Sequence, residues 1–364
     1  MTAPAATAAL ADRQPALVMG VSRWKRTFVR PFIADPAADI VFRQPTRAAL
    51  DEARRAGRRL YIWAAKEPPW LADAAAEAAV PLIRIEDGFL RSVGLGSNFT
   101  PALSLVVDES GIYFDPSRPS GLEHILADPA FPSATMRADA ERLGARLVAQ
   151  GLTKYNVRGD GPMTLPVSRP GARTLLVPGQ VEDDQSILRG SPAIRRNLDL
   201  LVAVRAAAPD AIILYKPHPE IEAGNRPGKV PEAEARRYAD TILTGWTMRA
   251  ALEVANEIHT LTSLTGFEGL LRGIPVTVYG LPFYAGLGLT ADRLPWPRPR
   301  RPVDLATLIA AVLLAYPRYR DPVTKAAITA FDVLDILERQ RAAAPPAHEP
   351  LARAVRWLRL TANI

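Results

Sequence analysis

Short apolar runs recur along the first half of the chain and alternate with stretches of helical pattern. Ala16-Leu-Val-Met-Gly, Ile40-Val-Phe, Leu60-Tyr-Ile-Trp and Leu82-Ile-Arg-Ile read as strands, and Arg47–Arg55 and Pro69–Ala79 as the helices between them. Strand and helix repeating at this length predict a parallel sheet covered by helices. Leu103-Ser-Leu-Val-Val-Asp, the turn Glu109-Ser-Gly and Ile112-Tyr-Phe then read as a hairpin, because Asp-Glu-Ser-Gly supplies the turn chemistry. Helices are expected around 119–150.

The stretch 158–171 is rich in glycine and proline and has no sustained period, so a linker is placed at 161–171. A second α/β unit follows. It comprises the strand Thr174-Leu-Leu-Val-Pro, an amphipathic helix Ser191–Ala207, a strand over 211–215, a helix near 246–254 and the strand Val276-Thr-Val-Tyr. Helices near 303–315 and 322–341 are expected to pack back across the lobe junction, and the tail near 350–360 has a helical pattern. The expected domains are a loose N-terminus over 1–14, a first lobe over 15–160, the linker, a second lobe over 172–302, and C-terminal helices over 303–364.

The most informative stretch is Glu257–Gly280, which reads as strand, hydroxyl-rich turn, helix and strand. Thr262, Ser263, Thr265 and the amide of Gly266 fall where a helix begins, and the unpaired N–H groups and positive dipole there favour an anion. A blander reading makes Thr265 the N-cap and Glu268 its capping-box partner. Upstream, Tyr215-Lys-Pro-His-Pro places Lys216 and His218 just past an apolar strand, the ligand-facing edge of a parallel sheet. The prolines hold them in an extended end, where Lys216 offers a point charge and His218 a hydrogen bond or a proton. Two such strand ends point to a nucleotide, whose ribose hydroxyls Glu268 could accept. Against this stands an ordinary strand terminated by proline.

Composition adds bounds. The chain has 364 residues, 48% apolar and 23% charged, enough for two globular domains. It lacks cysteine, which excludes disulfides and thiolate metal sites and fits a reducing compartment; the cytoplasm is expected. No secretory signal is legible, and no apolar run approaches the roughly 20 residues of a membrane span. The net charge of +7 favours anionic partners. Nucleic acid is not expected, since the arginines are spread out without aromatic interleaving.

Two further segments carry candidate chemistry. Arg84-Ile-Glu-Asp-Gly-Phe-Leu-Arg-Ser ends an apolar strand in two carboxylates, where Asp87 is a candidate nucleophile or stabiliser of an oxocarbenium-like centre. Arg91 and Ser92 are candidates for an acidic sugar's carboxylate. The plainer alternative is an Asp87–Arg91 salt bridge at i, i+4 on the surface or at a hinge. After the first strand of the second unit, Gly179-Gln-Val-Glu-Asp-Asp-Gln-Ser makes Gln180, Asp183 and Asp184 candidates for sugar hydroxyls, or simply a solvated acidic loop. A magnesium site is discounted, because no Asp-x-Asp spacing is present. His259 reads as a satisfied core histidine.

Taken in order, Glu86-Asp-Gly-Phe-Leu-Arg-Ser-Val-Gly-Leu-Gly, Leu103-Ser-Leu-Val-Val-Asp, Gly179-Gln-Val-Glu-Asp-Asp, Tyr215-Lys-Pro-His-Pro, His259-Thr-Leu-Thr-Ser-Leu-Thr-Gly-Phe-Glu and Tyr279-Gly-Leu-Pro-Phe-Tyr-Ala-Gly resemble bacterial capsule polysaccharide synthesis proteins of the KpsC type. The resemblance runs from about residue 80 to 325. It implies a GT-B-like glycosyltransferase of two Rossmann-like lobes with parallel sheets and a central cleft, and a CMP-β-Kdo donor. The implied reaction is retaining transfer of 3-deoxy-D-manno-octulosonic acid (Kdo) to build the β-Kdo linker joining a capsule to a lysophosphatidylglycerol anchor. It implies CMP-binding roles for Lys216, His218, Thr262, Ser263 and Glu268, with Asp87 as nucleophile, beside Glu86, and His218 among the catalytic groups. The CMP-sugar is a substrate, so neither cofactor nor metal is expected.

The implied partners are CMP-Kdo, a lipid-linked or Kdo-terminated saccharide acceptor, the cytoplasmic face of the inner membrane, and capsule assembly and export proteins. Two features depart from the family pattern. One catalytic module is present where members commonly carry two, and Leu287 stands, near Tyr284, where an aromatic acceptor platform of tryptophan is usual. Linkage and acceptor therefore stay open, as does the choice between Kdo and another CMP-activated ulosonic acid. Two other readings remain: a teichoic-acid-like CDP-glycerol glycerophosphotransferase, and a non-enzymatic, membrane-associated assembly factor.

Overall fold

A computed structural model of the chain describes residues 14–33, 38–93, 101–153, 165, 167, 169–224 and 226–343. Two compact units emerge. One draws its described residues from Met1–Arg91, Pro101–Glu141 and Ala306–Val333, the other from Ser92–Thr100, Arg142–Leu305 and Leu334–Ile364. The strands are β1 (Ala16–Met19), β2 (Ile40–Arg43), β3 (Arg59–Trp63), β4 (Leu82–Asp87), β5 (Ser104–Asp108), β6 (Thr174–Pro178), β7 (Ile212–Lys216), β8 (Thr241–Ile242), β9 (Glu257–Thr260), β10 (Val276–Val278), β11 (Ala291–Asp292) and β12 (Pro317–Tyr319).

The first unit holds a six-stranded sheet in the order β12-β5-β4-β3-β1-β2. Its pairings are parallel except at β4–β5 and β5–β12. β1 is buried along its whole length because helices cover both faces of the sheet, and such a strand reads as an unbroken apolar run. Ala16 and Val18 pack with Phe28, Phe32, Ile83 and Ile85 on one face. Leu17 and Met19 pack with Leu50, Leu60 and Leu71 on the other. Thr46 begins the helix Arg47–Arg55, its side chain accepting the amide of Ala49, and Ala49, Leu50 and Ala53 form the buried stripe.

The second unit holds a parallel six-stranded sheet in the order β11-β10-β9-β6-β7-β8. Leu176 of β6 lies opposite Leu214 and Ile258. Leu175, Val177, Leu200, Leu201, Val204 and Ile213 form its core on the face covered by the helix Asn197–Ala207. Two parallel-dominated α/β units are the Rossmann-like pair of the GT-B-like class expected from the sequence. Among the described residues, no helix is long and apolar enough to cross a membrane.

Several local expectations are corrected. No hairpin follows β5, because Asp108 turns the chain away: it accepts the amides of Ser110, Gly111 and Gly121 at 2.8–2.9 Å and the Tyr316 hydroxyl at 2.7 Å. β12 takes the edge of β5 instead. Residues 322–329 are not helical, since the Asp321 carboxylate accepts the amides of Val323 and Thr324 and the helix begins at Ala330. The expected 303–315 helix is α-helical over Leu305–Ile309 and widens to π-helical over Ala310–Ala315, where the Tyr316 amide reaches Ala311. The helix expected from Ser191 begins at Asn197, preceded by an unforeseen helix Gln185–Gly190. Another unforeseen helix, Arg26–Ile33, contains Pro31, which reads as a breaker in sequence. The expected tail helix, most of the N-terminal segment and 161–164, 166 and 168 of the linker lie outside the described residues.

Candidate functional site

In the second sheet β6 has β7 on one side and β9 on the other, so the chain reverses its direction of travel across the sheet at β6. Ligands of open α/β sheets bind outside the carboxyl ends of strands at such a point. The segments there are Gly179-Gln180 after β6, Pro217-His218 after β7 and Leu261–Ser263 after β9. Gly179 permits a close approach: a Cβ there would lie 3.0 Å from the Tyr215 hydroxyl oxygen and 3.3 Å from the His218 nitrogen.

Gln180 is buried and ties these segments together. Its Oε1 accepts the Thr262 amide at 2.9 Å, and its Nε2 donates to Thr262 Oγ1 at 3.0 Å. Its own amide donates to Asn197 Oδ1 at 2.8 Å. Thr262 Oγ1 donates to Ser186 Oγ, which donates to Asp184 Oδ1 at 2.7 Å. The sequence makes Gln180, Asp183 and Asp184 candidates for sugar hydroxyls or a solvated acidic loop; in the structure Gln180 fixes the Thr262 turn and Asp184 caps the helix Gln185–Gly190. Glu182 accepts the Asn197 amide at 2.8 Å, and Asp183 pairs with Arg226 at 2.6 Å. The three neighbouring acids thus have three different tasks.

The N-cap of the helix Leu264–Leu270 is Ser263, whose Oγ accepts the Thr265 amide at 3.2 Å. Thr265 as N-cap, with Glu268 completing a capping box, is therefore corrected. Thr265 lies inside the first turn and Glu268 is buried one turn later, where its charge acts on Arg272. Tyr284 is fully buried, donates to the Ser263 carbonyl at 2.5 Å, and presses so closely on Gly266 that a Cβ there would lie 2.1 Å from its oxygen. Leu287 is buried too. Both were expected on an acceptor surface, and the structure gives them interior positions, Tyr284 holding the Ser263 turn.

Lys216 ends β7 with its side chain only 2% exposed and its Nζ 3.7 Å from Glu222 Oε2. Burial pushes its pKa down, and the Glu222 carboxylate works against that shift. His218 caps the helix Pro219–Glu222: its Nδ1 accepts the Glu220 amide at 3.2 Å, which leaves the proton of the neutral ring on Nε2. His259 has Tyr279 Oη at 3.2 Å from Nδ1 and Glu257 Oε2 at 3.3 Å from Nε2, and burial lowers its pKa. Those contacts make it a structural histidine.

In the first unit the carboxyl end of β4 carries Glu86 and Asp87. Glu86 was expected among the catalytic groups, but its oxygens accept the amides of Ala65 and Asp87 at 3.2 and 3.1 Å, which secures the strand end. Asp87 Oδ2 lies 3.0 Å from Arg91 Nε and 3.8 Å from Lys25 Nζ. The i, i+4 pairing of Asp87 with Arg91 is therefore present, with the Arg91 side chain only 2% exposed and so not at the surface. Ser92 is buried beside it in sequence. Gly88 is required because a Cβ there would lie 2.4 Å from Ser104 Oγ, itself donating to the Leu90 carbonyl at 2.6 Å. Lys25, which follows β1, escaped the sequence reading. The signal that could have found it is the rule applied elsewhere, a cation just past the carboxyl end of a central strand.

The chain is thus a two-unit α/β protein with Lys216, His218 and the Ser263 turn gathered at the strand ends of one unit and a carboxylate flanked by two cations in the other. The capsule polysaccharide biosynthesis protein family matches residues 61–156 and 145–319, and the chain belongs to that family. It is 46% identical over 324 residues to the capsule polysaccharide modification protein LipA of Neisseria meningitidis serogroup B, covering 89% of this chain and 45% of LipA. The chain therefore spans less than half the length of that relative. It is 39% identical over 317 residues to the lipopolysaccharide-processing protein LpsZ of Rhizobium meliloti, covering 85% of this chain and 71% of LpsZ. Among solved structures it resembles two from Thermosulfurimonas dismutans KpsC. The beta Kdo 2,7 transferase matches with a TM-score of 0.73 and 33% identity, over 90% of this chain and 100% of that one. The beta Kdo 2,4 transferase matches with a TM-score of 0.75 and 31% identity, over 90% and 98%.

Proposed function

We propose that the chain is a glycosyltransferase that moves Kdo from CMP-β-Kdo, with retention, to a lipid-linked or Kdo-terminated saccharide in capsule or surface polysaccharide synthesis. The observation that carries this reading is the likeness, along 90% of the chain, to two Kdo-transferase structures. The residues described above supply the groups such a reaction needs.

In this reading an oxygen of Asp87 attacks the anomeric carbon of the donor, and the bond from that carbon to the phosphate oxygen breaks, its electron pair leaving with CMP. Arg91 and Glu86 fix the direction of the attack, one by gripping the carboxylate and the other by gripping the strand end. Lys216, the Nε2 proton of His218 and the turn Thr262–Gly266 receive the phosphate, and Glu268 the ribose. An acceptor hydroxyl then attacks the same carbon from the opposite face and gives up its proton to water, and the Asp87 ester bond breaks, its electron pair restoring the carboxylate. Two inversions give net retention. Capsule assembly and export proteins and the inner membrane face are the partners this role implies.

The test is incubation of the purified chain with CMP-Kdo generated in situ and a synthetic β-Kdo-terminated, lipid-like acceptor, with mass spectrometry and anomeric NMR of the product. One added Kdo in β linkage is expected. The Asp87→Ala variant should lose transfer by at least about 1,000-fold while binding CMP like the wild type. An active Asp87→Ala protein removes Asp87 as nucleophile; consumption of CDP-glycerol in place of CMP-Kdo replaces the sugar-transfer reading with glycerophosphate transfer.

A further inference from the structure

Lys25 is an ammonium with a place but no hydrogen-bonding task. It closes a 3-10 turn, Arg23–Lys25, that follows β1, and β1 lies between β2 and β3, where the first sheet reverses its direction of travel. Its Nζ sits 3.6 Å from the centre of the Trp63 ring, and its side chain is only 18% exposed. Its Asp87 contact is 3.8 Å, a charge pairing longer than a hydrogen bond. Among the described residues, no side-chain hydrogen bond from Nζ is present. An ammonium carries three donors, and withdrawing them from water without partners is costly. Stacking on an indole offsets part of that cost without using a donor. The arrangement keeps a cation in a fixed place beside Asp87 with its donors unspent.

The chemistry of the proposed donor explains what those donors are for. In a 2-ulosonic acid the anomeric carbon bears a carboxylate directly, so only two covalent bonds separate the attacking oxygen from the carboxyl carbon. Attack by Asp87 therefore forces two carboxylates against each other, and like charges that close resist approach unless a cation lies between them. Arg91 is deeply buried and its Nε is already spent on Asp87. Lys25 is the more exposed of the two cations on Oδ2.

We propose that Lys25 binds the carboxylate of the incoming sugar and thereby selects acidic 2-ulosonic donors over neutral sugars. The proposal rests on the Kdo-transfer reading and adds to it a specificity residue that the sequence reading assigned to Arg91 and Ser92. When the Asp87 ester forms, Asp87 loses its charge and Lys25 keeps the sugar's carboxylate as its counter-ion, so the ammonium is paired at each stage.

The experiment compares two donors, CMP-Kdo and its C1-carboxamide analogue, with wild type, Lys25→Met and Lys25→Arg. Methionine keeps an unbranched chain against Trp63 and removes the charge. For Lys25→Met, kcat/KM for CMP-Kdo should fall on the order of 100-fold. The carboxamide donor, poor with wild type, should change little, so the ratio between donors collapses toward one. Lys25→Arg should keep most of the discrimination, and CMP affinity should be the same in all three. If Lys25→Met does not fold, Lys25→Gln is read in the same way. An unchanged ratio with both donors slowed equally overturns the proposal and leaves Lys25 as a support for Asp87 alone. Wild-type protein that transfers Kdo from neither donor overturns the Kdo reading itself, and the proposal with it, which separates the two failures.

Discussion

Gly266→Ala tests whether the Ser263 turn is held rigidly from behind. The added Cβ would fall 2.1 Å from the Tyr284 hydroxyl oxygen, 2.7 Å from Cζ and 3.0 Å from Cε2. Tyr284 cannot yield cheaply, because it is fully buried, meets Phe283 edge-on with ring centres 5.1 Å apart, and donates to the Ser263 carbonyl at 2.5 Å. Overpacking of this kind costs about 1–3 kcal/mol. Breaking the hydrogen bond inside the protein costs about as much again, since the groups left behind are buried. Alanine is the better helix former by roughly 1 kcal/mol, and a net loss of about 3 kcal/mol remains. For a unit of this size that is about 6–12 °C in the melting transition, read by calorimetry. CMP affinity, read by titration calorimetry, should drop with it, because the displaced carbonyl belongs to the N-cap residue of the proposed phosphate turn. Tyr284→Phe removes the nearest atom, so in the double variant the two losses should fall short of their sum by about 1 kcal/mol or more. Additive losses would show that the two side chains do not compete for the same space. A lower melting point with unchanged CMP affinity would move the phosphate elsewhere.

Three further outcomes follow from groups whose surroundings are equally well defined. Asp108→Ala strips one buried acceptor from three amides and the Tyr316 hydroxyl, and should cost about 4 kcal/mol in urea unfolding; a loss under about 1 kcal/mol would mean water replaces the carboxylate there. Because burial lowers the Lys216 pKa from its ordinary 10.5, the ammonium is lost earlier on the alkaline side, so CMP affinity should fade there in wild type and stay low and flat in Lys216→Met; parallel profiles would remove Lys216 from the phosphate. The same shift means the unfolded chain binds more protons than the folded one between the lowered value and 10.5, so this group's contribution to stability rises with pH in that window. Burial also holds the His259 pKa below its ordinary 6.5, so as pH falls through that value the unfolded chain takes up a proton that the folded one refuses. Stability should therefore decline below pH 6.5, measured by urea titration, and His259→Gln should lose this part of the slope; an unchanged slope would place the acid sensitivity elsewhere.

What the sequence revealed and what it hid have separate physical causes. β1, β6 and β7 were legible because a strand covered on both faces is largely apolar, and the residues that follow such strands can be nominated as ligand-facing from topology alone. Lys216, His218 and the Ser263 turn were nominated in this way. Division of labour among like residues was not legible. Glu182, Asp183 and Asp184 are adjacent acids, yet one caps a helix, one pairs with Arg226 and one holds an asparagine amide, because each points at a different element. Ser263 rather than Thr265 is the N-cap because the helix starts at Leu264, a boundary set by tertiary packing that a Thr-x-x-Glu spacing cannot report. The glycines hid most. Gly88, Gly179 and Gly266 advertise missing side chains, but the hydroxyls of Ser104, Tyr215 and Tyr284 that press on them come from elsewhere in the chain. Lys25 sits in the basic run Arg23-Trp-Lys-Arg26, and only the turn after β1 decides which of those cations comes to Asp87. Residue chemistry can therefore nominate a carboxylate, whereas the cation that comes to stand beside it is selected by backbone geometry.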